Sequence, residues 1–164
     1  MRTRTLLTLA LVVPTVVSAQ AKKHGAAMQR TVTVALPDQL TWGPAPAVLP
    51  AGAKLAVLEG DPTKSGAYTM RLLMPDGYKI SPHFHGGVEH VTVVSGALMV
   101  GMGDTFDEAQ MKTLPAGTFA AIPVGMHHYA KAQGETVLQL HGTGPWRLSY
   151  VNKADDPRKK AATM

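Results

Sequence analysis

At 164 residues the chain has the length of a single domain, enough to close one hydrophobic core. Its 16 Gly and 12 Pro suit short strands joined by tight turns, and the lack of any Cys excludes disulfides, thiolate metal sites and a lipid-anchoring thiol. The net charge of +5 invites a nucleic-acid partner, but between positions 28 and 157 nine Lys and Arg stand against eleven Asp and Glu, so the positive excess lies in the ends and a basic binding face is excluded.

In chain order, Arg2 and Arg4 precede an apolar run over residues 6–17, and small residues follow up to Ala19 and Ala21. That is the pattern of a cleavable signal peptide over 1–21. Twelve apolar residues interrupted by Pro14 are too few to span a bilayer, so export to the periplasm or the medium is expected, with no membrane attachment after cleavage. Residues 22–30 are small and polar and read as a disordered lead-in. The folded domain is expected over 31–154, followed by a basic C-terminal tail over 155–164.

Within the domain, β-rich runs end at Pro, Gly and Asp turns. Strands are predicted over 31–36, 54–58 and 67–74. Residues 88–94 and 97–100 follow, joined at Ser95-Gly96 as in a hairpin. Further strands are predicted over 118–122, 128–132, 136–141 and 147–151, with a short helix over 105–111. Residues 40–52 carry too many prolines for a central strand and read as an extended loop over the barrel anchored by Trp42, with a lid over the mouth as the functional alternative. The fold class is all-β, a sandwich or barrel.

The chemistry concentrates in two segments. His83 and His85 alternate on an extended chain and so share a face; Glu89 has the same parity, and Gly86-Gly87 supplies the bend that returns it toward them. Two imidazoles and a carboxylate on one side form a divalent-metal site. The second segment is a strand, a Pro123/Gly125 turn and a strand that opens on His128, the fourth ligand. His90 and His127 adjoin ligands and should face the opposite way. His141 is open to core packing, a bonded imidazole or a pocket wall. Met70, Met74, Met99, Met102 and Met126, with Phe84, Phe119 and Tyr129, are the expected apolar surroundings.

These two segments resemble the paired motifs of the cupin superfamily. Gly77, His83, His85, Glu89 and Gly96 match the first motif, and Gly117, Pro123, Gly125 and His128 match the second, with Ala132 where that motif ends in Asn. The strings GMGDTFDEA, LPAG, TGPW and DDPR look like those of small exported bacterial cupins. The resemblance spans 31–151 and implies a double-stranded β-helix, or jelly-roll, cupin barrel with a metal inside near one mouth. It implies one divalent ion (Zn, Mn, Fe, Ni or Cu) held by His83, His85, Glu89 and His128, with coordination positions left for water or substrate. A metal-dependent enzyme acting on a mostly apolar oxygenated small molecule, as an oxygenase or as a Lewis-acid lyase or isomerase, is the leading expectation. A non-catalytic metal- or ligand-binding module and a metal sensor domain are the alternatives. Cupins often pair through edge strands, so a homodimer is the quaternary expectation, and the metal-free barrel is expected to melt independently of pH.

Overall fold

A computed structural model describes residues 32–161; the expected signal peptide and lead-in lie outside them. The described chain runs through β1 (Gly43–Pro44), β2 (Lys54–Glu59), β3 (Gly66–Met74), β4 (Lys79–His85), β5 (Glu89–Met102), β6 (Lys112–Pro115), β7 (Phe119–Ile122), β8 (His128–Gly144) and β9 (Leu148–Tyr150), closing with a short helix α1 (Pro157–Ala161). All pairings are antiparallel, in the order β1-β2-β3-β8-β4-β9, with β5 pairing β8 and also β6 and β7.

The two long strands β5 and β8 form the spine. They run side by side from His90↔His141 to Met102↔His128. Strand β8 also carries β3 along its second half and β4 along its first, so the sheet must curl around a common interior. Alternation sorts the side chains: Val91, Val93, Leu98 and Val100 of β5 and Ala130, Ala132, Leu138 and Leu140 of β8 are buried in the core with Met70, Leu72 and Met74 of β3. The jelly-roll expectation therefore holds.

Several local expectations are corrected. Ser95-Gly96 does not reverse the chain: residues 89–102 form one strand, with register shifts on either side of Ser95. A Ser-Gly pair suits a hairpin turn or a bulge, and here β8 lies beside both halves, so pairing continues without reversal. Gly96 takes φ 71°, and a Cβ there would collide with the Glu135 carbonyl oxygen and Thr136. The predicted strands 128–132 and 136–141 merge in the same way through Gly134, at φ 72°. Residues 32–36 are not a strand; Val32, Val34 and Leu36 stay exposed, with no sheet edge beside them among the described residues.

Around the barrel, the segment predicted as a helix over 105–111 is a single 3₁₀ turn, Glu108–Gln110, capped by the Asp107 side chain. Glu108 binds both Lys79 and Lys131 at 2.6 Å and pins this turn across β4 and β8. The proline-rich loop is anchored by buried Leu49 rather than by half-buried Trp42. Tyr78 and Tyr150 donate to the carbonyls of Pro50 (2.5 Å) and Val48 (2.8 Å), holding that loop against the barrel end.

Gly96→Ala should cost about 3 kcal/mol, combining left-handed strain with the clash against residues 135–136. Gly134→Ala, which has the same φ but open space around its Cβ, should cost about 1 kcal/mol. Urea unfolding of both variants measures the difference; equal losses would show that strain alone limits position 96.

Candidate metal centre

Three strand ends meet at one mouth of the barrel. His83 and His85 close β4, Glu89 opens β5 and His128 opens β8. The register sets His83 opposite His128, and a bulge between Ile80 and His83 lets both of these β4 side chains face inward. The Gly125 N–H donates to the His85 carbonyl at 3.0 Å, tying the turn before His128 to the end of β4. All four side chains are buried, and the ring nitrogens of His83, His85 and His128 lie within 4.8 Å of one another.

Hydrogen bonds decide the tautomers. Nδ1 of His83 faces the Ser81 carbonyl at 2.8 Å, that of His85 the Arg147 carbonyl at 2.8 Å, and that of His128 the Met126 carbonyl at 3.0 Å. A carbonyl only accepts, so each Nδ1 is the donor and each neutral ring turns an Nε2 lone pair inward. Glu89 Oε2 then lies 3.3 Å from His85 Nε2 and 3.4 Å from His128 Nε2, acceptor against acceptor. His85 Nε2 has no hydrogen-bond partner despite being buried. Such an arrangement requires a cation at its centre, either a proton on an Nε2 or a metal ion. This donor set fits a divalent metal.

The titration behaviour follows. Burial, and then the neighbouring His128 and His85 rings, pushes His83 down to about 3, so it stays neutral. Burial also opposes a charge on His85, but contact with Glu89 outweighs it and raises the His85 value. For Glu89, burial works against ionisation, yet contacts with His128 and His85 hold it below the usual carboxylate range. Without metal, Glu89 is therefore held ionised beside a His85 ring of raised proton affinity.

The cavity in front of these groups is about 40 Å³, room for a few waters. His83, Glu89 and His128 line it, and otherwise it is walled by aliphatic side chains such as Leu72, Val91 and Leu140, together with Trp146. The aromatic and sulfur surroundings expected from sequence lie elsewhere: Phe119, Met102 and Met126 are exposed, and Tyr129 is buried beneath the 3₁₀ turn with its hydroxyl on the Asp107 carbonyl. Two residues that line the site went unread, Leu49 and Trp146. Trp146 sits 5.8 Å from His85, ring to ring, with a buried Nε1–H that lacks a partner. Its backbone N–H donates to the Pro62 carbonyl at 2.7 Å, which fixes the segment from which Arg147 reaches His85. Tyr68 borders His85 and Glu89 from β3; burial and the Glu89 charge push its hydroxyl up to about 12.

The remaining histidines lie outside. His90 and His141 are cross-strand partners on the outer face, stacked at 4.8 Å and 8° beside Phe119, so His141 does not line the cavity. His127 also turns outward, with Nδ1 2.6 Å from Asp104 Oδ1.

Residues 30–147 match the model of a family described as the ChrR Cupin-like domain. No curated protein matches the sequence significantly. Among solved structures, a candidate acetylacetone dioxygenase from Methylibium petroleiphilum superposes with a TM-score of 0.59 at 19% identity, over 80% of this chain and 88% of that one. The polyketide cyclase RemF from Streptomyces resistomycificus gives 0.57 at 14%, over 83% and 94%. An RmlC-like cupin from Shewanella frigidimarina gives 0.53 at 18%, over 71% and 94%. At these identities the likeness establishes the barrel alone.

The metal-free barrel should not melt independently of pH, contrary to the expectation from sequence. Unfolded His83 takes a proton below about 6.5, whereas the folded ring refuses one until about 3, so stability should fall with pH inside that window. Glu89, depressed in the folded state, adds to the loss below about 4.5. Urea unfolding in chelator should show lower stability at pH 5 than at pH 7, with a slope of up to ~1.4 kcal/mol per pH unit for one proton. The raised His85 value acts in the opposite sense and reduces the slope, so a flat profile would mean that it cancels the His83 effect or that water reaches His83.

Proposed function

Because the chain belongs to the ChrR Cupin-like family of the cupin superfamily, we propose that it is an exported metal-dependent enzyme whose single divalent ion is held by His83, His85, Glu89 and His128. Its substrate is a small, mostly apolar oxygenated molecule, and the reaction is an oxygenation or a Lewis-acid lyase or isomerase step. The observation that carries the reading is the grouping of three buried histidines whose Nδ1 atoms are all committed to backbone carbonyls, with Glu89 Oε2 beside the Nε2 atoms of His85 and His128. The signal-peptide pattern of residues 1–21 supports export.

Bound there, a divalent ion supplies Lewis acidity or, if redox-active, one-electron chemistry. The protein's own part is positioning and exclusion. The Ser81, Arg147 and Met126 carbonyls lock the three rings in orientation, and His83 stays neutral and ready to coordinate at physiological pH. Glu89 supplies the negative charge. Aliphatic walls limit water to a few molecules and favour an apolar substrate body. Among the described residues, His83, Glu89 and His128 are the ionisable side chains lining the cavity, so a proton relay there would use Glu89 or solvent.

Zinc, manganese, iron, nickel or copper at a thousandfold excess over its Kd should stabilise the fold by roughly 4 kcal/mol, a rise in Tm on the order of 10 °C. The gain should shrink as pH falls, because protons compete for the same lone pairs, first at His85, whose contact with Glu89 raises its proton affinity. Glu89→Ala should weaken metal binding by at least tenfold, while His90→Ala, on the other face of β5, leaves it intact. Elemental analysis of the protein taken from its native compartment separates the reaction classes: iron or copper supports oxygenation, and zinc supports lyase or isomerase chemistry. Loss of metal in both variants, or no Tm response to any of these ions, rejects the proposal.

A further inference from the structure

The metal cavity is too small for a substrate. At about 40 Å³ it admits waters and the reacting end of a molecule, so the bulk of any substrate must rest elsewhere. A groove of about 440 Å³ lies directly behind its wall. Val91, Leu98, Val100 and Ile122 line both spaces and form the partition between them. The groove follows β5, whose first residue is Glu89 and whose last, Met102, is the cross-strand partner of His128. It opens at β6 and β7, which pair with β5 and with no other described strand. The four partition side chains are buried, so a ligand body in the groove reaches the cavity only by displacing some of them.

The chemistry of the groove is uneven. Leu114, Ala120 and Met102 extend its apolar surface, while the polar contribution comes from Gln110 and from Lys112, the one charged residue lining it among the described residues. Lys112 makes no ion pair among the described residues. One free ammonium beside a long apolar wall suits a molecule with one anionic end, whereas a phosphate or polyol would need several donors. The volume falls within the range of small-molecule sites.

We propose that this groove is the substrate chamber of the metal site and takes amphipathic monocarboxylates, with the carboxylate at Lys112 and the apolar body along Leu114 and Ala120 toward the partition. The role as substrate chamber rests on the metal-enzyme reading above; the binding of carboxylates does not require it.

Calorimetric titration of the full chain, zinc-loaded and metal-free, with octanoate and with 1-octanol tests the proposal. Octanoate should bind one to one in both forms and about fivefold more tightly than octanol, the gain expected of one exposed charge pair. Lys112→Glu should abolish that preference, and Ala120→Trp should weaken both ligands at least tenfold by filling the groove while leaving the zinc-induced rise in Tm unchanged. If Ala120→Trp does not fold, Lys112→Glu decides alone. Binding insensitive to Lys112→Glu overturns the proposal. So does an absence of octanoate binding when zinc still raises the Tm, including the case in which sedimentation shows a second copy covering the groove. Octanoate binding without any zinc response supports the carboxylate site and rejects the metal reading instead.

Discussion

Three imidazoles and a carboxylate meet in one buried space, with Glu89 Oε2 3.3 Å from His85 Nε2 and 3.4 Å from His128 Nε2, and the barrel is organised to hold that arrangement. Left alone the groups repel, and only a central cation makes the contact favourable. The restraint lies in the backbone: each ring is fixed by its Nδ1 to a carbonyl, two of them only two residues away in the chain (Ser81 for His83, Met126 for His128). The third carbonyl, from Arg147, comes from the far end of the domain, so the His85 ring depends on the whole barrel being closed.

The spine explains how such a cluster can be assembled. Strand β8 reaches the mouth at His128, β4 reaches it at His83 and His85, and β5 departs from it at Glu89, so four donors converge from three strand ends without any long loop. The same strands turn the remaining histidines away: one step along β5 from Glu89 puts His90 on the outer face against His141, and one step before His128 puts His127 against Asp104. A ring on the inside serves the cation; its neighbour in sequence stacks or pairs on the surface. The interior face also separates a small polar end from a larger apolar space across four aliphatic side chains, which is the division expected where a reacting group and the body of a ligand are held by different parts of a protein.

Much of the site could be read from spacing alone. The convergence of His83, His85 and Glu89 rests on two-residue alternation and a Gly-Gly bend, both local properties, and the structure does bring these residues together with His128. Leu49 and Trp146 could not be found this way: each enters the cavity from a loop or strand end distant in sequence, and a lone Leu or Trp in a Pro/Gly-rich stretch carries no periodic signal. The Ser95-Gly96 and Gly134 positions misled for a related reason. A glycine with positive φ serves a turn and a bulge equally well, and the neighbouring strand decides between them.

The sequence by itself determined the strand-rich class, the residue types offered to a metal and the face each one occupies, because alternation along a strand is set by the chain's own geometry. Tertiary structure alone decided the tautomers of the three rings, the raised proton affinity of His85 beside an ionised Glu89, the merging of four predicted strands into two, and the groove behind the partition. Several of these depend on a partner tens of residues away, such as Arg147 for His85 or Glu135 and Thr136 for Gly96, and no local pattern encodes a contact that exists only when the sheet has closed.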